Sequence, residues 1–122
     1  MRRIFYQRTG RRAALVTGAG VVYEASTGRV IGYAGEGALF DSGGRWIGAD
    51  REGALLDADG HALAVRATHP LLAGVSRDDA PLPELAAAPL APLLDRPLEL
   101  PAPSGRWSER SLGELLSHAP LS

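Results

Sequence analysis

The sequence predicts an all-β fold: four tandem β-hairpin repeats closed with pseudo-four-fold symmetry into a shallow barrel, then a Pro-rich tail and a short C-terminal helix. Three observations predict it. First, a short triplet recurs as Phe5-Tyr6-Gln7, Val22-Tyr23-Glu24, Leu39-Phe40-Asp41 and Leu55-Leu56-Asp57, at steps of 17, 17 and 16 residues. A period that short holds one hairpin-sized unit. Second, each triplet is followed by a Gly (Gly10, Gly28, Gly44, Gly60) and then by Arg or His (Arg11, Arg29, Arg45, His61). Third, twelve of the fifteen Gly precede residue 67, whereas all nine Pro stand at or after position 70. Gly supplies the positive-φ positions of tight turns, and Pro removes a ladder donor. The first half is therefore hairpins, and the second half cannot continue the same sheet.

Within a repeat, an apolar strand runs into a turn. Asp41 suits the first position of a type I turn, and Gly44 suits the left-handed residue of a G1 bulge. Asp57-Ala58-Asp59-Gly60 repeats this spelling, Gln7-Arg8-Thr9-Gly10 does so more weakly, and Glu24 to Gly28 carries one extra residue. The returning strands are expected at Arg12 to Val16, Val30 to Ala34, Trp46 to Asp50 and Ala62 to Arg66. A second Gly turn (Gly20, Gly37, Gly53) links one hairpin to the next.

The period of two assigns faces. It places Ala13, Ile31, Ile47 and Leu63 in the core, with Leu15, Tyr33, Ala49 and Val65 on the same face. Between them stands a small residue each time (Ala14, Gly32, Gly48, Ala64), which points to close backbone approach or strong strand curvature. Four equivalent hairpins cover one another's edges when the sheet closes. Closure also makes a ring of Tyr6, Tyr23, Phe40 and Leu56. Facing inward, this ring is core. At a mouth it is a candidate site for an apolar chain or a peptide.

The unit best seen in Val22 to Gly32 and Leu39 to Gly48 resembles the four-fold β-flower family of bacterial proteins. The tail spelling Trp107-Ser108-Glu109-Arg110-Ser111-Leu112-Gly113-Glu114-Leu115-Leu116 resembles that family's tail too. The first and fourth repeats depart from the pattern, with Leu56 in place of the aromatic residue. The resemblance implies a fold and brings no activity or catalytic residue with it. The implied shape is similar to tubby-like barrels, some of which bind lipids, an analogy at the level of fold alone.

Residues 1–68 thus form the repeat domain, 69–106 a Pro-rich strap and 107–122 a terminal helix motif. The strap is expected to be extended and polyproline-like, with one helical turn over Glu84 to Ala88. Leu71, Leu72, Leu82, Leu85, Leu90, Leu93, Leu94, Leu98 and Leu100 punctuate it, so part of it lies along the barrel or a partner. Ser111-Leu112-Gly113-Glu114 spells a capping box, and Leu112, Leu115 and Leu116 share one helix face behind Trp107. Two roles stay open for Trp107, Leu112, Leu115 and Leu116: docking on the chain's own barrel, or recognition of another protein.

Composition narrows the chemistry. The chain has 122 residues, a formal net charge of −1 and no Cys, and all thirteen basic residues are Arg. Disulfides, thiolate zinc sites and Cys nucleophiles are excluded. The bias toward Ala, Gly, Leu, Pro and Arg is that of a GC-rich bacterial genome. Near-zero charge gives no global pull toward nucleic acid. No apolar run approaches the ~20 residues of a membrane span, and the expected location is cytoplasmic. Arg2, Arg3, Arg8, Arg11 and Arg12 make the N-terminus locally basic, as a solvated edge or, through Arg2, Arg3, Arg11 and Arg12, a contact for phosphate or lipid headgroups.

Several motifs are accounted for by the repeat. Ala13 to Gly20 resembles a dinucleotide loop, yet it continues into the strand Val21-Val22-Tyr23 instead of a helix. Asp41, Asp57 and Asp59 suit turns before they suit calcium. His61, His69 and His118 lack metal spacing, and Ser42 and Ser76 lack a neighbouring base. The sequence therefore predicts no metal, no cofactor and no enzyme. It predicts a non-enzymatic binding or interaction module with a protein partner or self-association. The alternative is a lipid or small apolar ligand at the barrel mouth.

Overall fold

Eight antiparallel strands close into one barrel in chain order, as seen in a computed structural model that describes residues 2–78, 81–87, 92–94 and 99–116. The strands are β1 (Arg3–Tyr6), β2 (Arg12–Val16), β3 (Val21–Glu24), β4 (Val30–Gly35), β5 (Ala38–Asp41), β6 (Trp46–Arg51), β7 (Ala54–Asp57) and β8 (Ala62–Val65). The barrel closes through the pairing of Tyr6 with Val65. Leu90, Leu98, Pro89, Pro97 and His118 lie outside the described residues.

Each repeat is one hairpin; three share one turn, and the second carries one extra residue, as its spelling predicts. The Gly10 amide donates to the Gln7 carbonyl at 2.9 Å, Gly28 to Glu24 at 2.8 Å, Gly44 to Asp41 at 3.0 Å and Gly60 to Asp57 at 3.0 Å. All four glycines hold φ between 75 and 87°, a region that side-chain-bearing residues reach only under strain. At the opposite end, the link glycines Gly20, Gly37 and Gly53 also hold positive φ. The Ala34, Asp50 and Arg66 amides return to their carbonyls at 2.8, 2.9 and 2.8 Å, so this bond repeats although the first link is two residues longer than the others.

A bulge follows every turn, and it overturns half of the face assignment. Phe5 pairs with Ala14 but Tyr6 pairs with Arg12, leaving Ala13 as the extra residue. Ile31, Ile47 and Leu63 are the extra residues of the other hairpins. A bulge places the extra residue and its successor toward one side and shifts the alternation by one. Ala13, Ile31, Ile47 and Leu63 do belong with the inner cluster, and so do Ala14 and Ala64. Leu15, Tyr33, Ala49 and Val65 do not share that face. They lie in two separate clusters on the outer wall.

The lumen is filled by Phe5, Val22, Leu39 and Leu55, one from each repeat and all fully buried. Removing such a side chain from water contributes about 1.5–3 kcal/mol each. The small-residue positions are sites of close approach. A Cβ built on Gly32 or Gly48 would overlap the Phe40 or Leu56 carbonyl oxygen of the adjoining strand.

The outer wall is as apolar as the lumen, and the tail covers it. His69 caps a 3-10 turn at Pro70–Leu72, its Nδ1 accepting the Leu71 amide at 3.1 Å. The described parts of the strap then lie against the turn glycines in chain order. The carbonyls of Ser76, Glu84, Leu93 and Ala102 lie against Gly10, Gly28, Gly44 and Gly60, where a Cβ would collide with each. Two residues after the station, an amide returns to the same glycine: Asp78 to Gly10, Ala86 to Gly28 and Ser104 to Gly60, each at 2.9 Å. The corresponding residue of the third station, number 95, lies outside the described residues. Residues 84–87 carry no helix, so the helical turn expected over Glu84 to Ala88 is not found in its described part, and Ala88 lies outside the described residues. The Glu84 carbonyl lies against Gly28 and the Ala86 amide donates to the Gly28 carbonyl.

Pro83, Pro92 and Pro101 stand directly before the last three stations. A strap that bonds to the wall at wide intervals leaves other amides without ladder partners, and Pro removes the donor and fixes φ. Leu85 and Leu94, one past their stations, pack on the wall, while the station side chain turns to solvent. This geometry explains why Leu93 is 97% exposed.

After the fourth station the chain joins the sheet briefly. Ala62 donates its amide to the Arg106 carbonyl and accepts from the Ser108 amide, both at 2.8 Å, making a parallel bridge between Ala62 and Trp107. A single helical turn, α1 (Leu112–Leu116), then packs against β4 and β5. Leu112 and Leu116 enter the lumen cluster at the turn end, with Leu116 fully buried.

Candidate functional site

The tail reaches the barrel rim at the fourth repeat, where an aspartate turn and a serine meet. Asp57 Oδ1 accepts the Asp59 and His61 amides at 2.9 and 3.0 Å. Asp41 Oδ1 accepts the Gly43 and Arg45 amides in the same way, both at 2.9 Å. These carboxylates are spent on turn geometry, which is the role the sequence gives them ahead of calcium. Asp57 differs in one respect: its Oδ2 accepts the Ser108 hydroxyl at 2.7 Å. Ser104 Oγ likewise lies 2.7 Å from His61 Nδ1. Two serines of the tail are thus fastened to one turn.

Those contacts frame a cleft of about 450 Å³ lined by Asp59, His61, Arg106, Trp107, Glu109 and Arg110, among others. A smaller depression of about 190 Å³, lined by Arg8, Thr9, Trp107 and Ser111 among others, adjoins it. Trp107 is half-buried between the two, packed on the outer-wall cluster, with the Arg8 guanidinium 5.9 Å from its ring centroid. Arg8, Arg106 and Arg110 are exposed around it.

The ring residues are core, one of the two readings the sequence offers, but on the outer side of the barrel instead of the inner. Tyr6, Tyr23, Phe40 and Leu56 face neither the lumen nor a mouth. They point outward, buried beneath the strap by Leu72, Val75, Leu82, Leu85, Leu94 and Leu100. The physical reason is pairing: Phe5 and its equivalents oppose the small inner residues, so the next residue along the strand turns outward. Of the tail residues, Leu112 and Leu116 enter the lumen, Leu115 packs against its edge and Trp107 stays at the rim.

The four N-terminal arginines are split between the two ends. Arg2 and Arg3 lie at the link end. Arg3 donates both terminal nitrogens to Asp50 at 2.9 and 2.6 Å and stands 5.4 Å from the Phe5 centroid. The hydrogen bond to Asp50 raises the Arg3 guanidinium above its ordinary range; partial burial opposes this and the Asp50 charge adds to it. Arg66 stands 6.0 Å from the same ring. A depression of about 330 Å³ opens there, lined by Arg3, Asp50 and the link residues Gly18, Gly20, Gly35 and Gly37 among others. Arg11 and Arg12 lie at the turn end, beside α1.

Sequence reasoning gave Ser108, Arg106 and Arg110 no role, and named Arg8 only as part of the basic N-terminus. A signal for the first was present: Pro83, Pro92 and Pro101 keep a nine-residue step that leads the tail to the fourth turn. No curated protein and no solved structure shows significant similarity to the chain. The family model described as "4-fold beta flower protein" matches residues 3–116, which takes in both the barrel and the strap, and the chain belongs to that family.

Proposed function

We propose that the chain is a non-enzymatic interaction module that engages a protein partner through the rim cleft around Trp107. The carrying observation is the placement of a half-buried Trp among Arg8, Arg106 and Arg110 beside a cleft of about 450 Å³. Trp and Arg dominate binding energy at protein interfaces, because a flat ring and a planar cation give much contact at low entropy cost. Acidic Asp59 and Glu109 line the same cleft, so a partner with mixed charge fits it. The apolar outer wall is occupied by the chain's own strap and offers less to a partner.

The test is a charge reversal that spares the fold. Arg106→Glu with Arg110→Glu changes two exposed side chains. Partners captured by crosslinking on the wild-type chain, and lost on the variant at equal melting temperature, support the reading. An identical partner set on both overturns it.

A second reading is a small apolar ligand at the turn-end mouth. Its support is that Leu112 and Leu116 already occupy the lumen there from a helix of one turn, a length that is marginal alone. Native mass spectrometry and liposome co-sedimentation test it. No retained lipid, in the full chain or in one ending at residue 111, counts against it.

A further inference from the structure

We infer that the rim between β2 and the start of α1 binds a phosphate group, held by Arg11 and Arg12. This site shares no lining residue with the cleft of about 450 Å³, and it meets the smaller depression beside Trp107 at Gln7 and Ser111. Arg12 Nε is buried and has no hydrogen-bond partner among the described residues. An orphaned buried donor costs about 1–3 kcal/mol, and native structures rarely leave one. Arg12 lines a cavity of about 290 Å³ together with Arg11, Gln7, Ser26 and Ser111. The Arg11 side chain is exposed and makes no ion pair among the described residues.

The ligand class follows from the donors. The Nε edge of a guanidinium presents two parallel N–H groups that match two oxygens of an oxyanion. A second guanidinium, the Ser26 hydroxyl and the Gln7 amide line the same cavity. That supply exceeds the two oxygens of a carboxylate and suits the three terminal oxygens of a phosphate. One acid, Glu24, also lines the cavity, and its Oε1 already accepts the Thr27 hydroxyl at 2.6 Å. Two cations therefore face one partly engaged anion.

The cavity wall includes Ser111, Leu112 and Gly113, at and just before the start of α1. A bound phosphate bridges β2 to the helix whose Leu112 and Leu116 close the lumen. Binding that selects the closed state stabilises it by mass action. Phosphate in solution and a phospholipid headgroup share this chemistry.

The experiment uses the full chain labelled with nitrogen-15 and follows the arginine Nε–H resonances during titration with inorganic phosphate, at ionic strength fixed with chloride. The Arg12 Nε–H signal is expected to shift saturably and the melting temperature to rise. Arg11→Gln, at an exposed position, is expected to weaken binding roughly tenfold, the loss of one charged hydrogen bond. A second arm measures binding to phosphatidylcholine vesicles with and without phosphatidic acid. Phosphatidic-acid-dependent binding that inorganic phosphate displaces identifies the headgroup as the source, and phosphate binding without vesicle binding identifies phosphate in solution. An Arg12 signal that does not move, or that drifts linearly and identically in Arg11→Gln, overturns the site.

Discussion

The barrel and the strap are held by opposite means. In the barrel the strands are hydrogen-bonded to their neighbours in sequence, and the closing β1–β8 seam is the single pairing of Tyr6 with Val65. The strap touches the wall through one carbonyl per station, through one amide at three of the stations among the described residues, and through apolar side chains that are mostly leucine. The turn glycines belong to both systems. Gly10, Gly28, Gly44 and Gly60 are buried beneath the strap, whereas the link glycines Gly20, Gly37 and Gly53 are half-exposed. The difference teaches why the strap exists. A barrel of this size buries only about 60% of its unfolded surface, and this one has no polar outer face to give to water. The strap is the second layer of the core.

The largest expected effect breaks the comparison at its two cores. Phe5 fills the lumen and Phe40 lies between wall and strap, and both are fully buried. Each truncation to Ala is expected to cost about 3–5 kcal/mol, measured by urea unfolding. The two variants differ in hydrogen exchange. Phe40→Ala is expected to release the Ala86 amide from protection ahead of global unfolding, whereas Phe5→Ala is expected to lower barrel and strap protection together. Equal early release in both would mean that the strap is not a separate layer.

A smaller effect isolates the seat of the strap. Gly60 and Gly53 hold similar φ, 84 and 76°. A Cβ on Gly60 meets the Ala102 carbonyl, whereas one on Gly53 meets nothing closer than the Arg66 Cγ at 3.5 Å. Gly53→Ala is expected to cost about 1–2 kcal/mol from left-handed strain alone. Gly60→Ala adds the displacement of the strap, about 1–3 kcal/mol for the amide bond lost at that station. Equal losses in the two variants would show that the contact at Gly60 contributes nothing.

These glycines also mark where the sequence was legible. Asp-x-x-Gly turns, positive-φ links and strand positions are local, so the repeats declare them directly; the observed β2, β4, β6 and β8 lie within one residue of the expected ranges. The bulge is local too, but it leaves no residue type of its own. Ala13 and Ile31 are ordinary apolar residues, and a strict period of two runs through them and inverts Leu15 and Tyr33. The stations were hidden for a different reason. Their recognition is a carbonyl against a glycine, which any residue can supply, as Ser76, Glu84, Leu93 and Ala102 do. Only the prolines before them carry a period. Of the candidate site, Trp107 was legible because a lone aromatic in a Pro-rich tail needs a place. Arg106 and Arg110 were not, since exposed arginines carry no pattern.

Ser108 joins the two regions through one hydroxyl, and its removal is expected to cost about 1–2 kcal/mol, because the carboxylate of buried Asp57 then loses a partner at Oδ2. The matching turn at Asp41 has no such serine among the described residues and supplies the internal control. Ser42→Ala, beside that turn and exposed, is expected to leave the urea midpoint unchanged. A Ser108→Ala midpoint equally unchanged would show that the bridge at Ala62 alone holds the tail to the rim.

The smallest effect lies at the end the tail does not close. At the turn end Leu112 and Leu116 fill the lumen, while at the link end the Arg3–Asp50 pair stands over Phe5 with its side chains 32% and 12% exposed. Partly exposed pairs contribute little after solvent screening, about 0.2–1 kcal/mol. Arg3→Gln is expected to lower stability by that amount at low salt and by less at high salt, since the Debye length shortens to about 3 Å at 1 M. The raised guanidinium pKa fixes the sign with pH: the contribution is complete below the ordinary arginine range and is lost only as pH rises through the raised value. Across neutral pH the Arg3→Gln difference is therefore flat on the arginine side. Strap protection at Ala86 is expected to stay at the wild-type level, because Arg3 points into the lumen and touches no station. A salt-independent loss would assign Arg3 a packing role on Phe5 instead, making the link end a second apolar closure and not an electrostatic one.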